Sequence, residues 1–326
     1  MDALSELLSK RGVLLADGAT GTNLFDRGLE SGEAPELWCE TRPDEIRDLH
    51  RSFVEAGSDI ILTNSFGGTR HRLKLHGAEN RVREINAAAA RLAREVAEEA
   101  GRTVVVAGSV GPTGELLEPL GALTQEGATE AFVEQMEGLR EGGVDVVWIE
   151  TMSAEDEMRA AIEAARRLGL ACVLTASFDT AGRTMMGLAP ADLARVAEGT
   201  VAYGANCGVG ASDILASLIE MDPAATLVVK GNCGIPQFRG TEIHYSGTPG
   251  QMADYARLAI DAGARIIGGC CGTTIEHLRA MREAIDGHER GPRPALSTIT
   301  DRIGPLTNTP AATPSDKRPR RRRRAA

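Results

Sequence analysis

The sequence predicts a closed (β/α)8 barrel, the TIM-barrel fold, followed by a disordered basic C-terminal tail. Three observations lead there. Residues 13–287 alternate short β-rich runs with longer amphipathic segments. The alternation makes eight units over about 275 residues, the count and size of a closed barrel. No Gly-x-Gly-x-x-Gly follows the first strand, and an open doubly wound sheet usually has fewer strands than eight.

Strands are expected at 13–17, 59–64, 103–109, 145–150, 171–178, 200–206, 226–231 and 265–269. Amphipathic spacing predicts helices over 43–56, 81–100, 126–141, 154–168 and 249–262. Ser153 precedes an acidic first turn and reads as a cap, while Thr248-Pro249 places proline at the first helical position. Glycines stand where these helices should end, at Gly57, Gly101, Gly142, Gly169 and Gly263. The barrel is assigned to residues 1–287. Pro292, Pro294, Pro305, Pro310 and Pro314, among scattered Thr, Ser and Ala, mark 288–326 as a non-globular Pro/Arg-rich tail.

Charge is uneven along the chain. The last 39 residues hold ten Lys/Arg and three Asp/Glu, leaving 26 basic and 43 acidic side chains in 1–287, a net of −17. An acidic body argues against a nucleic-acid surface on the folded domain. The run Lys317-Arg318-Pro319-Arg320-Arg321-Arg322-Arg323-Arg324 reads as a solvated tail, with docking onto nucleic acid or a partner as the alternative. No apolar stretch reaches the length of a membrane span, and the N-terminus lacks a secretory signal. Six cysteines without framework spacing suit a reducing cytoplasm, where thiols serve metals or catalysis. The sequence carries no signal for an oligomeric state.

Barrel chemistry sits at the C-terminal ends of the strands. Cys207, in Gly204-Ala205-Asn206-Cys207-Gly208, ends the sixth predicted strand, and Gly268-Gly269-Cys270-Cys271-Gly272 ends the eighth. Strands two apart around a barrel can bring these thiols together. Adjacent residues of a regular strand point to opposite faces, so the flanking glycines must let the backbone turn for both Cys270 and Cys271 to reach one metal. Three thiols can hold a zinc ion and leave its fourth position open to an incoming thiol. Taken singly, each cysteine reads as a buried small hydrophobe. Cys39 and Cys172 keep that reading, and Cys233 leans to it.

With these motifs, Leu15-Ala16-Asp17-Gly18-Ala19-Thr20-Gly21-Thr22, Leu62-Thr63-Asn64-Ser65-Phe66-Gly67-Gly68 and Gly108-Ser109-Val110-Gly111-Pro112 complete a pattern. It resembles the homocysteine S-methyltransferase family, zinc enzymes with betaine-dependent and cobalamin-dependent branches, from about residue 13 to 285. The resemblance implies a barrel, Zn2+ on Cys207, Cys270 and Cys271, and homocysteine as methyl acceptor. It makes Glu150 the partner of the homocysteine amino group and Asp17-Gly18 a substrate motif. Glu150 and Asp17 become the expected catalytic carboxylates, and Asn64 a pocket residue. Ala19 departs from the second glycine of many members, which bears on the donor branch. His50, His71, His76, His244 and His277 receive no catalytic role.

The donor is expected to be betaine or a related methylated ammonium compound. S-methylmethionine, or a methylated corrinoid on a separate protein, is the alternative. A quaternary ammonium is bound by aromatic faces, yet the chain is only 3% aromatic, with Trp38 and Trp148 its two tryptophans. Trp38 is a candidate donor contact. The reading from another class is a non-catalytic zinc barrel, with Cys233 as the ligand that would close the metal.

Overall fold

The computed structural model describes residues 2–307, apart from residues 235, 240 and 241 and the side chains of 236–239 and 242–244. All eight expected barrel strands are present: β1 Leu14–Leu15, β2 Ile60–Leu62, β3 Val105–Val110, β4 Val146–Met152, β5 Cys172–Ala176, β6 Ala202–Cys207, β7 Leu227–Gly231 and, last in the chain, β10 Ala264–Gly269. They form one parallel sheet in the order β1-β10-β7-β6-β5-β4-β3-β2. A bridge between Ala16 and Ile60 joins its two edges and closes the barrel.

Side chains alternate across each strand, and the alternation separates two cores. Leu14, Ile60, Val105, Val146, Val173, Ala202, Val228 and Ile266 fill the barrel interior, with Leu4, Leu7 and Leu8 in the same cluster. Those three leucines belong to the helix Ala3–Arg11, which plugs the N-terminal end. Intervening residues such as Ile61, Val106, Val147, Leu174 and Val229 pack outward against the helices. With that end plugged, the larger cavity opens at the C-terminal face.

The five expected helices appear as Pro43–Glu55, Val82–Glu99, Gln125–Glu141, Glu155–Arg167 and Pro249–Ala262. The Thr248 hydroxyl caps the last by accepting from the Gln251 N–H at 3.2 Å. The expected Ser153 cap is not formed: Ala154 occupies that position, and Glu155, Asp156 and Glu157 face the helix dipole unaided.

Two departures matter. A hairpin of β8 Pro236–Arg239 and β9 Glu242–Tyr245 follows β7, where no strand was expected. The expected boundary at 287 is also too early. Residues 288–307 lie against the barrel through the helix Leu296–Arg302, whose Ile299 is buried. Gln251 Nε2 donates to the Ile303 carbonyl at 2.7 Å, and Ser212 Oγ to that of Gly304 at 2.7 Å. Two apolar residues, Ile299 and Ile303, anchor a segment whose prolines suggested a tail. The Arg-rich run lies outside the described residues.

Candidate active site

Carried one step past the apolar interior layer, the same period of two fixes the floor of the opening. Trp148 points inward and Ile149 outward, so Glu150 returns to the interior. Ser109, Thr175, Asn206 and Lys230 follow the same rule on β3, β5, β6 and β7. A polar layer of five strand residues thus sits on the apolar one. Above it opens a cavity of about 490 Å3, lined by Gly18, Asn64, Ser109, Glu150, Lys230 and the three expected cysteines, among others.

The Cys207, Cys270 and Cys271 sulfurs lie within 4.8 Å of one another, the one such cluster of potential metal ligands among the described residues. β10 ends at Gly269, and the next two residues leave strand geometry, as their shared aim requires. Gly272 turns the chain at φ +78°, where a Cβ would also strike the Tyr245 ring at 2.2 Å. Cys207 itself adopts φ +63° at the end of β6, and Thr151 adopts φ +60° after Glu150. Left-handed backbone at non-glycine residues costs about 1–3 kcal/mol each and concentrates at functional sites.

Two asparagines brace the sulfurs. Asn232 accepts the Cys271 N–H at 3.0 Å and directs its amide to Cys207 Sγ at 3.8 Å and the Gly208 carbonyl at 2.7 Å. Asn206 accepts the Thr151 N–H at 2.8 Å, donates to Thr151 Oγ1 at 2.7 Å, and lies 4.0 Å from Cys270 Sγ. The neighbouring Cys207 and Cys270 thiols, with Tyr245 beside them, hold Cys271 well below the usual thiol range. Against the lowering effect of the Cys207 thiol, the Cys271 sulfur and burial hold the Cys270 thiol up. The set suits a soft divalent ion, since zinc at ~2.3 Å from each sulfur would hold them ~3.8 Å apart.

Asp17 and Lys230 form a buried ion pair at 2.6 Å. The second Asp17 oxygen accepts the Leu62 N–H at 2.7 Å. Both carboxylate oxygens are therefore engaged by the chain, and Asp17 lies beneath the cavity rather than on its wall. Burial raises the Asp17 carboxyl, against the opposing pull of the Lys230 ammonium. Glu150 does line the cavity and accepts a hydrogen bond from Ser109 Oγ. Burial pushes it up to about 7, opposed by Lys230 and assisted by the Cys270 sulfur.

Gly18 also reaches the cavity, and a Cβ there would meet the Thr273 carbonyl oxygen at 2.9 Å, so the close approach needs glycine. Asn64 lines the wall, but its amide is turned to the Pro35 carbonyl at 2.7 Å and to Cys39 Sγ at 3.5 Å. It fastens the first βα loop. Trp38 is 3% exposed beneath the Arg42 guanidinium and does not reach the cavity. Cys233 is buried outside the sulfur cluster, and Cys39 and Cys172 are buried as expected. His50 is fully buried, and His277 closes a capping box with Thr274. His76 stands at the cavity rim, and the His244 side chain lies outside the described residues.

Sequence reasoning assigns no role to Lys230, Asn232 or Tyr245. A lysine in the apolar run Leu227-Val228-Val229-Lys230 was the available signal for the first. Tyr245 belongs to the unexpected hairpin.

The family described as homocysteine S-methyltransferase matches residues 14–285. Methionine synthase of Mycobacterium tuberculosis is 31% identical over 323 residues, covering 91% of this chain and 27% of that protein. That of Mycobacterium leprae is 31% identical over 304 residues, covering 86% and 25%. The chain thus spans about a quarter of these relatives. The metallated form of the Escherichia coli homocysteine methyltransferase MmuM superimposes with a TM-score of 0.70 at 27% identity, covering 86% of this chain and 99% of that one.

Proposed function

The chain belongs to the homocysteine S-methyltransferase family, and from that premise we propose that it methylates the thiol of homocysteine to form methionine. The observation that carries this reading is the convergence of three sulfurs on a cavity whose wall also holds a buried carboxylate, Glu150. Cys207, Cys270 and Cys271 would hold Zn2+, which when bound supplies a position where the substrate thiol is kept as thiolate, the nucleophilic form. The metallated state of MmuM supports a metal here.

The chain's own groups do the rest. Glu150, ionised, accepts hydrogen bonds from the substrate ammonium. Gly18 lets the backbone close on the substrate, and the Asn206–Thr151 pair keeps the wall beside Glu150 in place. The sulfur attacks the methyl carbon as the carbon–heteroatom bond breaks, and the bonding electrons leave with the demethylated donor. The thiol proton has passed to solvent. Alignment of sulfur, methyl and leaving group is the main demand on the protein.

For the donor we favour betaine or a related methylated ammonium compound, with S-methylmethionine as an alternative. The cavity has room for a second small molecule beside an amino acid. Its lining includes Phe25, Phe66 and Glu33, two aromatic faces and a carboxylate that suit a cation. A methylated corrinoid on a separate protein is the second reading. Its support is the likeness to methionine synthases, together with the exposed Leu116, Leu120, Met185 and Met186 in loops of the C-terminal face. A closed, non-catalytic zinc site is disfavoured because Cys233 stays outside the cluster. Six unpaired cysteines suit a reducing cytoplasm, and no helix among the described residues is long and apolar enough to cross a membrane.

Methionine formation by zinc-loaded protein, offered betaine, S-methylmethionine and a methylated corrinoid protein in turn, tests the proposal. Turnover with one donor fixes the branch. No turnover with any of them, together with no homocysteine binding, would overturn it.

A further inference from the structure

Lys230 is a charged residue that the floor of the cavity does not fully satisfy. It stands on the interior face of β7 with its side chain 4% exposed, and it lines the cavity. An ammonium has three N–H donors. Among the described residues its one hydrogen-bond acceptor is Asp17 Oδ1 at 2.6 Å. Spare donors on a buried cation are costly unless something accepts from them. On the barrel side the ammonium faces the Trp148 ring, whose centroid is 5.7 Å from Nζ. The remaining donors therefore serve the cavity.

Asp17 explains why the cation is there. With one oxygen on Lys230 and the other on the Leu62 N–H, it holds Lys230 upright and stands beneath the cavity, off its lining. Glu150 has the complementary shortage. It is buried on the cavity wall with the Ser109 hydroxyl as its one hydrogen-bond donor among the described residues. One end of the cavity thus presents an ammonium, a carboxylate and three sulfurs, each with capacity left for a ligand.

We propose that Lys230 binds the α-carboxylate of the methyl acceptor, so that Lys230 and Glu150 together read both charges of an amino-acid thiol. The assignment rests on the homocysteine reading above and deepens it. It makes Lys230 a specificity-determining residue and Asp17 the positioning residue behind it. It also predicts that thiols without a free carboxylate are poor acceptors.

The test compares homocysteine with its decarboxylated analogue, 3-aminopropane-1-thiol, by calorimetric Kd and by KM on the zinc-loaded full chain. Wild-type protein should prefer homocysteine about 50-fold, the size of one charge-assisted hydrogen-bonded contact. Lys230→Met combined with Asp17→Asn leaves no lone buried charge, and the asparagine keeps an oxygen for Leu62. In that variant the homocysteine Kd and KM should rise about 50-fold, the values for the analogue should stay put, and kcat should change by less than about fivefold. Equal loss for the two thiols would reduce Lys230 to a structural role. Equal affinity for both thiols in wild-type protein would overturn the assignment even if the variant failed to fold. Homocysteine methylation would still stand in either case, whereas wild-type protein that binds neither thiol overturns both readings.

Discussion

Asp59 and Asp17 sit at opposite ends of the seam where β1 meets β2, and both are fully buried. At the N-terminal end Asp59 accepts from Arg11, Arg282 and the Leu15 N–H, with Arg102 3.6 Å away. Leucines of the first helix seal that end. At the C-terminal end Asp17 has one cation, Lys230, and that cation lines an open cavity with a carboxylate and three sulfurs. The first carboxylate draws all its recorded donors from the chain around it. The second shares its donor with whatever enters. One end is built for stability, and the other keeps unsatisfied capacity where chemistry can use it.

The largest way to break this comparison is Cys271→Ser. Loss of a direct ligand should weaken zinc affinity by more than about 100-fold, beyond the cost of changing a group that only hydrogen-bonds a ligand, and abolish methionine formation. In the metal-free state, denaturation should stay close to wild type. Full zinc retention in a chelator competition would show that these sulfurs are not the metal site.

Asp59→Asn probes the sealed end. Removing a buried charge from among three guanidiniums should cost about 2 kcal/mol, less than a fully enclosed pair because Arg11 and Arg102 are partly exposed. The homocysteine KM should not move. A shift in KM with unchanged denaturation would mean that the two ends are not separate in function. The smallest expected effect is from deleting 308–326: neither unfolding nor either KM should change, and a change in one would tie that segment to the corresponding end.

The eight strands were legible because each carries an apolar run between turn glycines, and the barrel then assigns its own functional end. The sulfur site was legible from Cys207 and the Cys270-Cys271 pair, whose glycine neighbours announce a turn. Asp17 was found as a residue but not as a partner of Lys230. The two are 213 positions apart, and only the interior alternation of β7 brings them together. The hairpin escaped because Pro236 argues against a strand, and the docked helix Leu296–Arg302 because prolines on both sides outweighed its few apolar residues.

The closure of the barrel has a consequence of its own. β1 is two residues long, and one bridge, Ala16 to Ile60, completes the ring. On either side of that bridge a carboxylate stands in for a missing carbonyl: Asp59 receives the Leu15 N–H and Asp17 receives the Leu62 N–H. In topological terms the molecule is an open eight-stranded ribbon, rolled up and laced along one line by two acidic side chains. Exchange of the Leu15 and Leu62 amide protons with solvent reports how often that lacing comes undone, and the upper lace is the carboxylate that holds Lys230.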